Sequence, residues 1–141
     1  MSKMFNKIIG FVLIVLLCFS FSSTARSQAV PPLYGELKGT VRNQWMRPVG
    51  HMTVTLKPTA YAYGTRDYVV TSDINGKYDI KQISRYVYSS GSAPKWVSYY
   101  LSVSAPGYDN YTGSTFDFQN STTIKIDIKL TAQNRHWDGN H

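Results

Sequence analysis

The stretch Ile124-Lys125-Ile126-Asp127-Ile128-Lys129-Leu130 alternates aliphatic and charged side chains without a break. A strand turns successive side chains to opposite faces, so this stretch offers one apolar face and one charged face. A helix would spread both sets around its axis. The stretch therefore predicts a half-buried β-strand near the end of the chain. The same period of two recurs upstream. Leu37, Gly39 and Val41 alternate with Lys38, Thr40 and Arg42, and Met52, Val54 and Leu56 with Thr53, Thr55 and Lys57. Tyr78 and Ile80 alternate with Asp79 and Lys81, and Val97, Tyr99, Leu101 and Val103 with Ser98, Tyr100, Ser102 and Ser104. No stretch after Ala29 holds a helical period.

The punctuation between these runs agrees. Arg47-Pro48-Val49-Gly50 separates the first two, and Ala105-Pro106-Gly107-Tyr108 and Gln119-Asn120-Ser121 end later ones. Asn75-Gly76, between residues 68–74 and 77–83, predicts a two-residue β-hairpin of type I′, whose central residues both need positive φ. With a less regular run near residues 111–118, the spacing predicts an all-β, seven-stranded antiparallel β-sandwich.

The 141 residues carry a formal charge of +7, which by itself invites nucleic acid. Residues 1–29 alter that reading. Lys3 and Lys7 precede an apolar run over residues 8–21, and Ser27-Gln28-Ala29 places small residues at a cleavage position, the pattern of a secretory signal peptide. The run is shorter than the roughly 20 residues needed to span a bilayer, so no stable membrane span is expected after cleavage. Removing Lys3, Lys7 and Arg26 lowers the charge by three and Cys18 is lost, which leaves no thiol. The remaining lysines, among them Lys38, Lys57, Lys81, Lys125 and Lys129, are spread over strands rather than clustered, which argues against nucleic acid. The expected organisation is a signal peptide at 1–29, a sandwich at 30–131 and a flexible tail at 132–141. The expected location is secreted, periplasmic or at the cell surface.

The order Gly39-x-Val41, Arg47-Pro48-Val49 with Val54-x-Leu56, Thr71-x-Asp73-x-x-Gly76-x-Tyr78-x-Ile80, Leu101-x-Val103-x-Ala105-Pro106-Gly107-Tyr108 and a closing aliphatic strand resembles the carboxypeptidase regulatory-like domain. That resemblance covers about residues 37–130. It implies a transthyretin-like (prealbumin-like) sandwich acting as an accessory, with no catalytic residues of its own.

Enzymatic patterns are sparse. A hydrolytic zinc site needs three protein ligands and an open position, yet none of His51, His136 and His141 has a Glu three residues on, and Glu36 is the single Glu. No Gly-x-Ser-x-Gly elbow is present. Asp73, Asn75 and Asp79 do not meet calcium-loop spacing. His136, Asp138 and His141 read as a polar terminus, and Lys38 with Asn134 as an internal-amide pair is disfavoured by the outward phase of Lys38. The expectation is no catalytic residue, no cofactor and no metal. Aromatic residues make up 14% of the chain, and the long segments around Tyr61, Tyr63 and Arg66 and around Arg85, Tyr86, Tyr88 and Lys95 place several outside the core phase. Strand alternation predicts that both segments open at one end of the sandwich. They are the expected binding residues, for a protein or carbohydrate partner at the cell envelope. The function expected is a non-enzymatic binding module, with a structural fibre subunit and a small hydrolase on a transthyretin-like scaffold as alternatives.

Overall fold

The computed structural model describes residues 30–88 and 91–134. Among these, every regular element is a strand. In chain order they are β1 (Tyr34–Asn43), β2 (Thr53–Pro58), β3 (Tyr68–Thr71), β4 (Lys77–Ser84), β5 (Tyr86–Val87), β6 (Lys95–Trp96), β7 (Ser98–Val103), β8 (Tyr111–Thr112), β9 (Phe116–Asp117), β10 (Thr123–Lys125) and β11 (Ile128–Leu130).

The described residues are all-β, with eleven strands in three sheets where seven were expected. In the first sheet β1 is central, with antiparallel β4 on one side and β10 and β11 on the other. The second sheet runs β3-β2-β7-β8, with β9 also on β7, and all its pairs are antiparallel. The third is the short pair β5-β6 within the segment after Ser84. The alternating side chains of the two larger sheets meet in one core. Leu37, Val41, Tyr78, Ile80, Ile128 and Leu130 come from the first, and Val54, Leu56, Tyr99, Leu101 and Val103 from the second. Each such side chain, fully buried, contributes roughly 1.5–3 kcal/mol.

Two expectations about pairing are corrected. β10 and β11 run parallel to β1, not antiparallel. Chain direction is invisible to alternation, which a strand shows equally in either ladder. The predicted Asn75-Gly76 hairpin is a turn between sheets: β3 pairs with β2 while β4 pairs with β1. Asp73 organises it, its Oδ1 accepting the N–H groups of Asn75 at 2.8 Å and Lys77 at 2.9 Å. Only Gly76 is left-handed, at φ 74°, and a Cβ there would lie 2.4 Å from the Val41 carbonyl oxygen. A type I′ turn would also need positive φ at Asn75.

The alternating stretch 124–130 keeps its faces but not its continuity. Between β10 and β11 the Ile126 N–H donates to the Lys38 carbonyl at 3.0 Å. The Ile126 carbonyl then swings over Gly39, where a Cβ would sit 1.7 Å from its oxygen. The buried Tyr78 hydroxyl donates to that oxygen at 2.6 Å, and burial raises its pKa far above the usual phenol value. Asp127 turns outward, accepting from the Thr40 N–H at 3.0 Å and the Thr40 hydroxyl at 2.8 Å. Two backbone groups freed by the break are thereby satisfied.

Candidate functional site

Strands β1 and β4 lie antiparallel, so the start of β1 and the end of β4 share one end of the molecule with residues 59–67 and the β5-β6 segment. The two long segments do meet there. The Ser84 hydroxyl donates to the Gly64 carbonyl at 3.2 Å, and Gly64 lies against Val87.

The expected binding residues divide into two groups. Tyr61, Tyr63, Arg66, Tyr88 and Lys95 are exposed, Tyr63 by 95%. The Tyr61 hydroxyl donates to Asp67 Oδ1 at 2.6 Å, and that bond raises its pKa. Arg85 and Tyr86 are buried instead, at 4% and 2% exposure, and this corrects their expected place on the rim. Arg85 Nε and Nη2 donate to the Phe118 carbonyl at 3.1 and 2.6 Å, and Nη1 donates to the Pro32 carbonyl at 2.7 Å. Its guanidinium lies 5.2 Å from the centre of the Trp96 ring. The Tyr86 hydroxyl donates to the Pro31 carbonyl at 2.6 Å, with Tyr88 and Trp96 packed edge-on to its ring. A guanidinium with five donors tolerates burial when carbonyl oxygens and an aromatic face surround it. These two side chains pin the chain before β1 to the sandwich and are closed to a ligand.

A cleft of about 330 Å³ opens beside them, lined by Tyr34, Gly64, Arg66, Tyr68, Gln82 and Ser84. It owes its shape to a β-bulge. Leu37 pairs with Ile80 and Gly35 with Ile83, so Lys81 and Gln82 together face Glu36. Both are exposed, whereas Ile80 and Ile83 are buried, so the extra residue restores the alternation. Gln82 takes φ 55°, a region that costs a non-glycine residue roughly 1–3 kcal/mol. Tyr68, otherwise buried, reaches the cleft with its hydroxyl, which accepts the Ser84 N–H at 3.0 Å. Arg66 stacks on the Tyr68 ring, its Cζ 5.1 Å from the centroid. Of the expected residues, only Arg66 lines this cleft. Tyr34, Tyr68, Gln82 and Ser84 carried no signal in the sequence beyond strand phase. A larger hollow of about 570 Å³ flanks β4 nearer Asp73, but its charges are mostly engaged, Lys38 with Glu36 and Lys125 with Asp127.

No family model matches the sequence, and no curated protein matches it. Solved structures do. The 3-chlorocatechol 1,2-dioxygenase of Rhodococcus opacus superposes with a TM-score of 0.52 at 11% identity, over 71% of this chain and 60% of its own. The catechol 1,2-dioxygenase of Pseudomonas arvilla gives 0.53 at 13%, over 77% and 55%, and the hydroxyquinol 1,2-dioxygenase of Pseudomonas putida 0.54 at 11%, over 74% and 58%. The fold resembles that of the catechol 1,2-dioxygenases. The chain spans little more than half the length of these proteins.

These findings correct the expected resemblance to a carboxypeptidase regulatory-like domain. Its motifs, the Asp73-x-x-Gly76 and Ala105-Pro106-Gly107-Tyr108 turns, are what tight reversals demand of any antiparallel sandwich, so they do not single out one family. The non-enzymatic binding module drew on that resemblance and falls with it. The solved structures that share the fold are named as dioxygenases, not as binding modules, fibre subunits or hydrolases. The signal peptide at 1–29 and the side chains of His136, Asp138 and His141 lie outside the described residues.

Proposed function

We propose that this chain is an oxidoreductase acting on a small hydroxylated aromatic compound. The observation that carries the reading is the fold shared with the catechol and hydroxyquinol 1,2-dioxygenases, over 70% or more of this chain in each comparison. The likeness is one of architecture, and a fold hosts more than one chemistry. The cleft beside β4 is compatible with such a substrate, because Tyr34 offers a ring and Arg66, Tyr68 and Gln82 offer polar groups.

Reactions with molecular oxygen belong to a metal or an organic cofactor rather than to ordinary side chains. Among the described residues no three His, Cys, Asp or Glu side chains converge. His51, their single histidine, stands exposed near the far end of β1, its backbone N–H donating to the Ser72 carbonyl. The described residues do not fit a metal centre. On this reading the sandwich supplies substrate binding.

The test measures metal content and oxygen uptake together, on the full chain supplied in turn with a series of transition-metal ions. Catechol- or hydroxyquinol-dependent oxygen consumption with retained metal is the expected result. A metal-free protein that consumes no oxygen with either compound overturns the reading.

A further inference from the structure

A cation without a counter-ion among the described residues, a strained backbone position at Gln82 and a polar hollow coincide at the end of β4. Arg66 forms no ion pair with any described carboxylate. Its nearest acidic neighbour in sequence, Asp67, already holds the Tyr61 hydroxyl. No Asp or Glu lines the cleft. We propose that this cleft binds an organic monocarboxylate, with the Arg66 guanidinium as its counter-ion.

The geometry argues for the class. Stacking on Tyr68 restrains the plane of the guanidinium, so less freedom is lost when its N–H groups close on a ligand. A planar carboxylate matches that fork with two parallel hydrogen bonds. The cleft holds one full positive charge, which a monoanion neutralises, whereas phosphate at neutral pH would bring roughly −1.5 to −2. The Gln82 side chain, placed by a bulge in left-handed backbone, and the Tyr34 hydroxyl add donors that make no hydrogen bond among the described residues. At about 330 Å³ the cleft lies at the small end of ligand sites, so the body attached to the carboxylate is compact. Strain at Gln82 fits a residue held for binding, since backbone outliers gather at such places. None of this depends on the oxidoreductase reading, because binding is separable from turnover.

The test is a two-dimensional NMR titration of the full chain with acetate, benzoate and inorganic phosphate. Acetate and benzoate are expected to move the amides of residues 64–68 and 82–84 to saturation, and phosphate to leave them unsaturated. Arg66→Gln should weaken benzoate by about tenfold or more, and Arg66→Lys, which keeps the charge and loses the fork, by a smaller factor. Tyr63→Ser, on the exposed rim, should change nothing. Arg66 is exposed, so both variants should keep the parent thermal midpoint. Equal benzoate affinity in Arg66→Gln, shifts confined to other residues, or saturable binding of phosphate in preference to the carboxylates overturns the proposal.

Discussion

Arg85, at 4% exposure, has no carboxylate partner among the described residues and is stabilised by the Phe118 and Pro32 carbonyls and the Trp96 ring. Removing its side chain would orphan the buried Phe118 carbonyl oxygen, free the partly buried Pro32 carbonyl and open a gap beneath Trp96. Arg85→Ala should therefore destabilise by about 3 kcal/mol, on the order of ten degrees or more of thermal midpoint, measured by circular dichroism. Gly39 is just as constrained for the opposite reason. A methyl group there meets the Ile126 carbonyl, a backbone atom that cannot rotate away, so Gly39→Ala should cost several kcal/mol, at the upper end of roughly 1–3 for overpacking or beyond. A denaturant midpoint equal to the parent's would contradict this. Neither role was legible in the chain. Gly39 showed only its strand phase, and Arg85 stood next to Tyr86 and Tyr88, which pointed to an exposed rim. The partners of both are backbone carbonyls far along the chain, which every residue carries and no sequence pattern marks.

Two irregularities shape the elements. In β4 the extra residue Gln82 sits at φ 55°, where glycine is at ease. Gln82→Gly should raise stability by roughly 0.5–1 kcal/mol, and Gln82→Val should lower it by at least as much, because a β-branched side chain clashes in left-handed backbone. Chemical unfolding of the pair reads both signs. Between β10 and β11, Asp127 is held by the Thr40 hydroxyl and N–H, which lower its pKa below the unfolded value of 3.8. A carboxyl whose folded pKa is depressed contributes stability above the unfolded pKa and loses it as pH falls through the folded one. Unfolding midpoints of the parent and Asp127→Asn should therefore differ at pH 6 and converge at the acid end. The contribution is small because the carboxylate is largely exposed. Alternation marked both regions as strand and assigned faces correctly at Ile128 and Leu130. It could not mark the interruption, which goes with the Ile126 carbonyl lying against Gly39 of β1, a contact far along the chain.

At the scale of the molecule, the ladders that close the first sheet join residues far apart in sequence, as at Thr40 and Asp127, 87 positions apart. Closing such loops before their contacts form slows folding, so stopped-flow refolding should proceed on the order of milliseconds to seconds rather than microseconds. A microsecond phase carrying the whole amplitude would contradict the topology. By itself the sequence determined that the described residues within 30–134 form strands rather than helices, which side chains of the alternating runs face the core, and where several turns fall, because side-chain period and turn chemistry are local properties. Which strand lies beside which was decided only in the tertiary structure. There the Asp73–Gly76 turn carries the chain from one sheet to the other, and the alternating stretch from Ile124 to Leu130 docks parallel to β1. The cleft belongs to that second category: Arg66, Tyr68, Gln82 and Ser84 meet because β3 and β4 come together from different sheets, a proximity that packing creates and sequence spacing does not encode.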